Sequence, residues 1–287
     1  MRRASVRACG WMLAACVALP AGADERTAPT PPGVVTQRPL WEAGIGAAAL
    51  YLPDYRGSDQ SRAYLLPFPY VVYRGDWLKA DRDGARAYMY RDERMKLDLS
   101  LSAGVPVESK KNDARQGMPD LPFSVELGPN LEINLARTAD DRVRFDVRVP
   151  LRAAVSIERS PRFIGTIFSP HVALDWRSAA GWKVGFLTGP YYGDQRYHAH
   201  YYGVEPQFAT AQRPAYSAPG GYGGWQALAS LSRRIGSIWM GAYARADDLH
   251  GAVYADSPLV RRHNAFAAGV GVAWVFGTSD RMVAADD

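Results

Sequence analysis

The sequence predicts an all-β chain, an antiparallel transmembrane β-barrel of about twelve strands with short periplasmic turns and longer extracellular loops. Three observations carry that expectation: a secretory leader, alternation of apolar and polar residues with period two over long segments, and aromatic residues gathered near the segment ends. The clearest segment sets Val143, Phe145, Val147, Val149, Leu151, Ala153, Val155 and Ile157 against Arg142, Arg144, Asp146, Arg148, Pro150, Arg152, Ala154 and Ser156. Fifteen such residues at roughly 3.3 Å each span about 50 Å, against the ~17–20 Å of a common soluble strand. That length suits a tilted strand that crosses a bilayer and projects beyond it. A soluble sandwich or lipocalin-like barrel alternates in the same way but turns the apolar face inward, and is the competing fold.

The leader comes first. Met1-Arg2-Arg3-Ala4-Ser5-Val6-Arg7 is basic, residues 8–18 are small and apolar, and Ala21 and Ala23 supply the small side chains of a cleavage site after Ala23. Leu13-Ala14-Ala15-Cys16 also fits a lipoprotein box, with Cys16 as the acylated residue. Cleavage after Ala23 would remove both cysteines, Cys9 and Cys16, and with them any disulfide or thiolate chemistry. It would also remove Arg2, Arg3 and Arg7 from the 34 basic residues, leaving 31 against 29 acidic ones. So small an excess does not argue for a nucleic-acid partner. Residues 24–40, with Pro29, Pro31 and Pro32, read as a flexible periplasmic lead-in, 41–276 as the barrel and 277–287 as a tail.

Strands are expected near 41–52, 62–73, 77–82, 85–91, 94–104, 122–137, 142–158, 162–177, 181–190, 223–235, 237–249 and 264–276. The hairpin at 77–91 is the weakest, and ten strands remain an alternative. Met95, Leu97, Leu99, Leu101 and Ala103 alternate with lysine, aspartate and serine, as do Phe123, Val125, Leu127, Leu131, Ile133 and Leu135 with glutamate and asparagine. Ile164, Thr166, Phe168, Val172, Leu174 and Trp176 repeat the pattern. The last strand sets Phe266, Ala268, Val270, Val272, Trp274 and Phe276 outward and small residues inward. With the amino terminus in the periplasm, the long connections 53–61, 105–121, 191–222 and 250–263 all fall on the outer side. Trp41, Tyr51, Tyr73, Trp77, Tyr90, Trp176, Trp182, Trp225 and Trp274 sit near strand ends, where interfacial girdles belong.

Few residues suggest chemistry. Asp194, His198 and His200 in the tyrosine-rich stretch 191–202 carry suitable metal-ligating atoms, but two histidines two apart on a loop fit an aromatic extracellular loop folded over the barrel mouth better. Ser169 and His171 share one strand face without a nucleophile elbow, so no catalytic residue and no cofactor is expected. Arg142, Arg144, Asp146, Arg148 and Arg152 form a lumen row that either lines a weakly anion-selective pore or makes a plug of salt bridges. Lys110, Lys111 and Arg115 of an outer loop are candidates to meet lipopolysaccharide phosphates among the outer-membrane lipids.

Seven segments, in order along the chain, resemble the MltA-interacting protein/OmpV family of outer-membrane proteins. They are Tyr55-Arg56-Gly57-Ser58-Asp59, Leu66-Pro67-Phe68-Pro69-Tyr70-Val71, residues 112–121, Glu126-Leu127-Gly128-Pro129, Arg213-Pro214-Ala215-Tyr216, Gly220-Gly221-Tyr222 and Asp256-Ser257-Pro258-Leu259-Val260. The loop positions that carry the likeness are Tyr55, Gly57, Ser58, Arg115, Gly117, Met118, Pro119, Arg213, Tyr216, Gly220, Gly221, Tyr222, Ser257, Pro258 and Leu259. The resemblance implies a cell outer-membrane location and a non-enzymatic scaffold that brings a lytic murein transglycosylase to a penicillin-binding murein synthase. A narrow outer-membrane channel is the alternative function, and a membrane-embedded lipid-modifying enzyme comes third.

Overall fold

The computed structural model describes residues 37–75, 78–81, 84–92 and 94–284, with 78–81 and 84–87 as backbone only. The leader with its cut after Ala23, both cysteines, most of the lead-in, Trp77 and the last three residues lie outside them. The strands in chain order are β1 (Gln37–Pro39), β2 (Trp41–Pro53), β3 (Ser61–Arg74), β4 (Leu78–Asp81), β5 (Gly84–Arg91), β6 (Met95–Gly104), β7 (Ser124–Arg137), β8 (Val143–Ser156), β9 (Arg162–Phe168), β10 (His171–Arg177), β11 (Lys183–Gly193), β12 (Gly221–Ile235), β13 (Ile238–Asp248), β14 (Asn264–Thr278) and β15 (Met282–Ala284). One helix, α1, spans Gln195–Tyr202.

Strands β2 to β14 form one antiparallel sheet, which closes on itself because β14 pairs with β2 from Ala268↔Tyr51 to Thr278↔Glu42. β9 and β10 lie end to end, both between β8 and β11, so the barrel has twelve staves. The break falls at Ser169-Pro170, where proline has no N–H to give the ladder. β1, β15 and the connections 138–142, 178–182 and 236–237 lie at one end, the periplasmic end of an outer-membrane barrel.

The direction in which the apolar face points separates a membrane barrel from a soluble one. Leu65 is 78% exposed, Ile45 57%, Val270 56% and Phe276 61%, while Glu42, Asp98, Glu132 and Asp146 on the opposite face of the sheet are buried inside. Such a surface in water would be a single aggregation-prone band, and in lipid it is the wall. Trp41, Tyr51, Tyr90, Trp176, Trp225 and Trp274 lie exposed on it near strand ends.

Inside, large and small residues complement each other. Glycine and alanine hold most inward positions of β2 and β14, and the flanking strands β3 and β13 lay Phe68, Tyr70, Trp239 and Tyr243 over them. A Cβ on Gly46 would stand 2.5 Å from the Phe68 ring, and one on Gly269 2.5 Å from the Tyr243 ring. Trp239, 1% exposed, is wedged between Phe68 and Tyr70 at ring distances of 6.3 and 5.8 Å. Removing a ring of this kind from water is worth about 1.5–3 kcal/mol.

Three expectations are corrected. Arg142 precedes β8 and pairs on the periplasmic turn with Asp140 at 3.3 Å, so it is not a lumen residue. Ile164 does not face lipid: the register slips between Ala154 and Val155, and Ile164 turns inward at 4% exposure while Phe163 faces out. The end of the lead-in is paired rather than free, since β1 and β15 make a two-stranded clasp with Gln37↔Ala284, Arg38↔Val283 and Pro39↔Met282.

Candidate functional site

The outer end of the barrel is closed by a lid. Its core contains Tyr55, Val107, Ala114, Leu121, Tyr202, Val204, Ala218, Leu249, Ala252, Tyr254 and Leu259, drawn from four separate outer loops. Loops that would otherwise move in solvent thus share a hydrophobic interior. Segment 191–202, expected as an irregular loop, contributes α1 to it. Asp194 starts that helix in the usual N-cap manner: one carboxylate oxygen accepts the N–H of Tyr197 at 2.7 Å. The other accepts the N–H of Thr166 on β9 at 2.8 Å, which ties the helix to the barrel wall.

Most family-signature positions are the stitching of this lid. Tyr55 donates to the carbonyl of Leu259 at 2.8 Å, and the carbonyl of Gly57 accepts the N–H groups of Arg261 and Arg262. Asn112 donates to Asp54 at 2.8 Å and to Ser58 at 3.1 Å. Arg115, 2% exposed, donates to Ser109, to the carbonyl of Tyr201 and to that of Pro119. Arg213 donates to the carbonyls of Ala114 and Gln116 in one loop and Phe208 in its own. Tyr216 exchanges both backbone hydrogen bonds with Val204, and Ser257 donates to the carbonyl of Tyr202 at 2.7 Å. Gly117 has φ of +78° and Gly221 +139°, turn geometries that glycine adopts without strain. Met118 packs against the core, and Gly220 lies against the start of α1, where a Cβ would meet the N of Gln195 at 2.6 Å. Tyr222 stacks edge-on with Tyr192, and Pro258 sits half-buried between Ser257 and Leu259.

Residues read as possible metal ligands have structural work. His198, 1% exposed, has Nδ1 2.7 Å from the carbonyl of Pro219 and its ring 4.5 Å edge-on to Tyr254. Tyr254 in turn stacks on Tyr202 with ring centres 3.7 Å apart. Among the described residues no group of three or more His, Cys, Asp or Glu is placed to hold a metal ion. His171 meets the backbone carbonyl of Ser169 at 2.9 Å.

Burial holds His198 and His200 neutral. The His200 pKa is pushed down to about 4 by desolvation first and by the positive Arg115 and Arg162 second, and desolvation lowers His198 as well. A detached lid would protonate these rings near their ordinary value of ~6.5. The folded lid therefore loses stability as pH falls from about 6.5 toward 4 and changes little below that. Hydrogen exchange of residues 195–205 at pH 7.5 and pH 5 checks this: protection should drop at pH 5, and equal protection would contradict it.

Beneath the lid the lumen is crossed by ion pairs. Arg56, stacked 4.3 Å over Tyr191, and Arg245 both donate to Asp247 at 3.0 Å. Arg152 donates to Ser100 at 2.9 Å. Further down, Glu132 meets Lys96 at 2.9 Å, Arg144 at 3.4 Å and Arg148 at 3.5 Å, and Arg148 also reaches Asp146 and Asp175. At the periplasmic end Glu42 pairs with Arg74 at 2.9 Å and with Arg234. The arginine row was visible in the sequence, but its hub Glu132 and the Glu42 and Asp247 pairs were not. Their parity placed them on the polar face without giving their partners.

These features define an outer-membrane β-barrel whose outer mouth is shut by its own loops. The profile of the family described as MltA-interacting protein MipA matches residues 45–276, and the chain belongs to that family. No curated protein matches it significantly. Solved structures that are similar include the NanC porin, 9% identical with a TM-score of 0.41 over 80% of this chain and 98% of that one. A bacterial polysaccharide outer membrane secretin gives 10% identity and 0.40 over 82% and 99%. Outer membrane phospholipase A from Escherichia coli gives 12% and 0.33 over 87% and 94%.

Proposed function

We propose that the protein is a closed, non-enzymatic barrel that serves as a scaffold at the inner face of the outer membrane. Its partners in this reading are a lytic murein transglycosylase of the MltA type and, in the same assembly, a penicillin-binding murein synthase. The observation that carries the reading is the lid: four loops with a common buried core, above a lumen crossed by paired charges, are poorly suited to passing solutes. What a closed barrel offers the periplasm is a fixed surface, here the short turns and the β1–β15 clasp. The family's description names the partner class.

Detergent-solubilised protein fixed to a matrix should retain a purified MltA-type transglycosylase that a lidded barrel of another family leaves in the flow-through. Equal recovery on both matrices would remove the scaffold reading. A narrow channel is the second reading, favoured by the space inside that leaves Arg245 35% and Arg144 21% exposed.

A further inference from the structure

The basic side chains that the sequence offers to lipid phosphates are engaged elsewhere. Lys110 and Lys111 both pair with Glu108, at 3.2 and 2.7 Å, and Arg115 is buried in the lid. A different cluster stands at the outer rim. Arg159 lies in the hairpin 157–161 between β8 and β9, Arg162 opens β9, and Arg196 is in the first turn of α1. All three side chains are exposed, and none of their guanidinium groups makes a hydrogen bond or ion pair to a described residue. Arg196 reaches over the wall, its Cζ 5.4 Å above the ring of Phe163. Phe163 is 46% and Ile157 45% exposed, so an exposed apolar residue stands on either side of Arg159 and Arg162 at the edge of the lipid-facing wall. Thr166 of β9 donates its N–H to Asp194 at the start of α1 at 2.8 Å, which places the hairpin, β9 and the first turn of α1 at one sector of the rim.

We propose that Arg159, Arg162 and Arg196 form a docking site for the phosphorylated headgroup of an outer-leaflet lipid, the lipopolysaccharide of a bacterial outer membrane. Charge complementarity selects this occupant: the sector carries three guanidinium groups without an ion-pair partner, Glu158 is the single acid of residues 157–163, and Asp194 beside Arg196 is taken up by the N–H groups of Tyr197 and Thr166. A planar guanidinium grips phosphate oxygens in pairs, and the adjoining Phe163 and Ile157 meet acyl chains. Because Arg196 belongs to α1, a bound headgroup also braces the lid against the wall. The inference rests on the outer-membrane location and is independent of the scaffold reading.

The test compares lipopolysaccharide binding by the folded full-length protein and by the triple variant Arg159→Gln/Arg162→Gln/Arg196→Gln, with Lys110→Gln/Lys111→Gln as the control. Folding of each is checked by heat-modifiable electrophoretic mobility. At about 1 kcal/mol per basic residue near an anionic surface, the triple variant should bind roughly a hundredfold more weakly. The lysine variant should bind as the parent does, and dephosphorylated lipopolysaccharide should lose most of its affinity for the parent. Equal binding by the triple variant, or undiminished binding of the dephosphorylated lipid, would overturn the site. Competition by millimolar inorganic phosphate as effective as by the lipid itself would overturn the lipid as its occupant.

Discussion

Valine in place of Gly165 should unseat the lid while leaving the barrel closed. Gly165 has φ of +133°, and a Cβ there would lie 2.4 Å from both the Asp194 carboxylate and the backbone N of Tyr197. Backbone cannot yield as a flexible side chain does, so the start of α1 must retreat from β9. That retreat breaks the Asp194 bonds to Tyr197 and Thr166 and lifts Tyr197 from its seat on Ala154, Ile164 and Ile167. Backbone strain, a lost cap and partial exposure of one aromatic ring together cost on the order of 3–5 kcal/mol against the closed lid. Limited proteolysis should then cut within 195–220 many times faster than in the parent, with heat-modifiable mobility preserved. Unchanged cleavage would mean that α1 does not depend on this contact.

Glu132→Ala should destabilise the barrel itself. Glu132 is 3% exposed and is the shared acceptor of Lys96, Arg144 and Arg148. Arg148 keeps Asp146 and Asp175, so the loss falls mainly on Lys96 and Arg144. Removing one partner of a buried ion cluster typically costs about 3–5 kcal/mol, because the remaining charges stay desolvated. Urea unfolding in lipid vesicles should show a lowered midpoint, and Glu132→Gln, which keeps the shape and two hydrogen-bonding atoms, should recover part of it. A midpoint equal to the parent's would show that the cluster contributes nothing net.

The barrel was legible because alternation is a local property. Residues 143–157 or 264–276 announce a two-faced strand by themselves, and the aromatic strand ends point to lipid outside with charge inside. The exceptions arise where the backbone leaves the regular ladder. Ile164 carries the apolar type expected of the wall, but the slip opposite Ala154 turns it inward, and no side chain advertises a bulge. α1 hides in a tyrosine- and histidine-rich stretch without an apolar stripe, and Asp194 is its one sequence signal. Ion partners depend on cross-strand register, which pairs Glu132 with Arg148 across β7 and β8 and with Lys96 across β6 and β7. The loop residues of the family resemblance stood out as motifs, but their common purpose, binding one loop to the next, needed all four loops in place.

Planar-bilayer recording of the purified, refolded full-length protein tests the closed barrel most directly. With the lid packed and the lumen charges paired, insertion confirmed by protein recovery should produce no discrete, steady conductance steps at moderate voltage. Reproducible open-channel steps from the unmodified protein, absent in mock preparations, would contradict the account and make the barrel a pore.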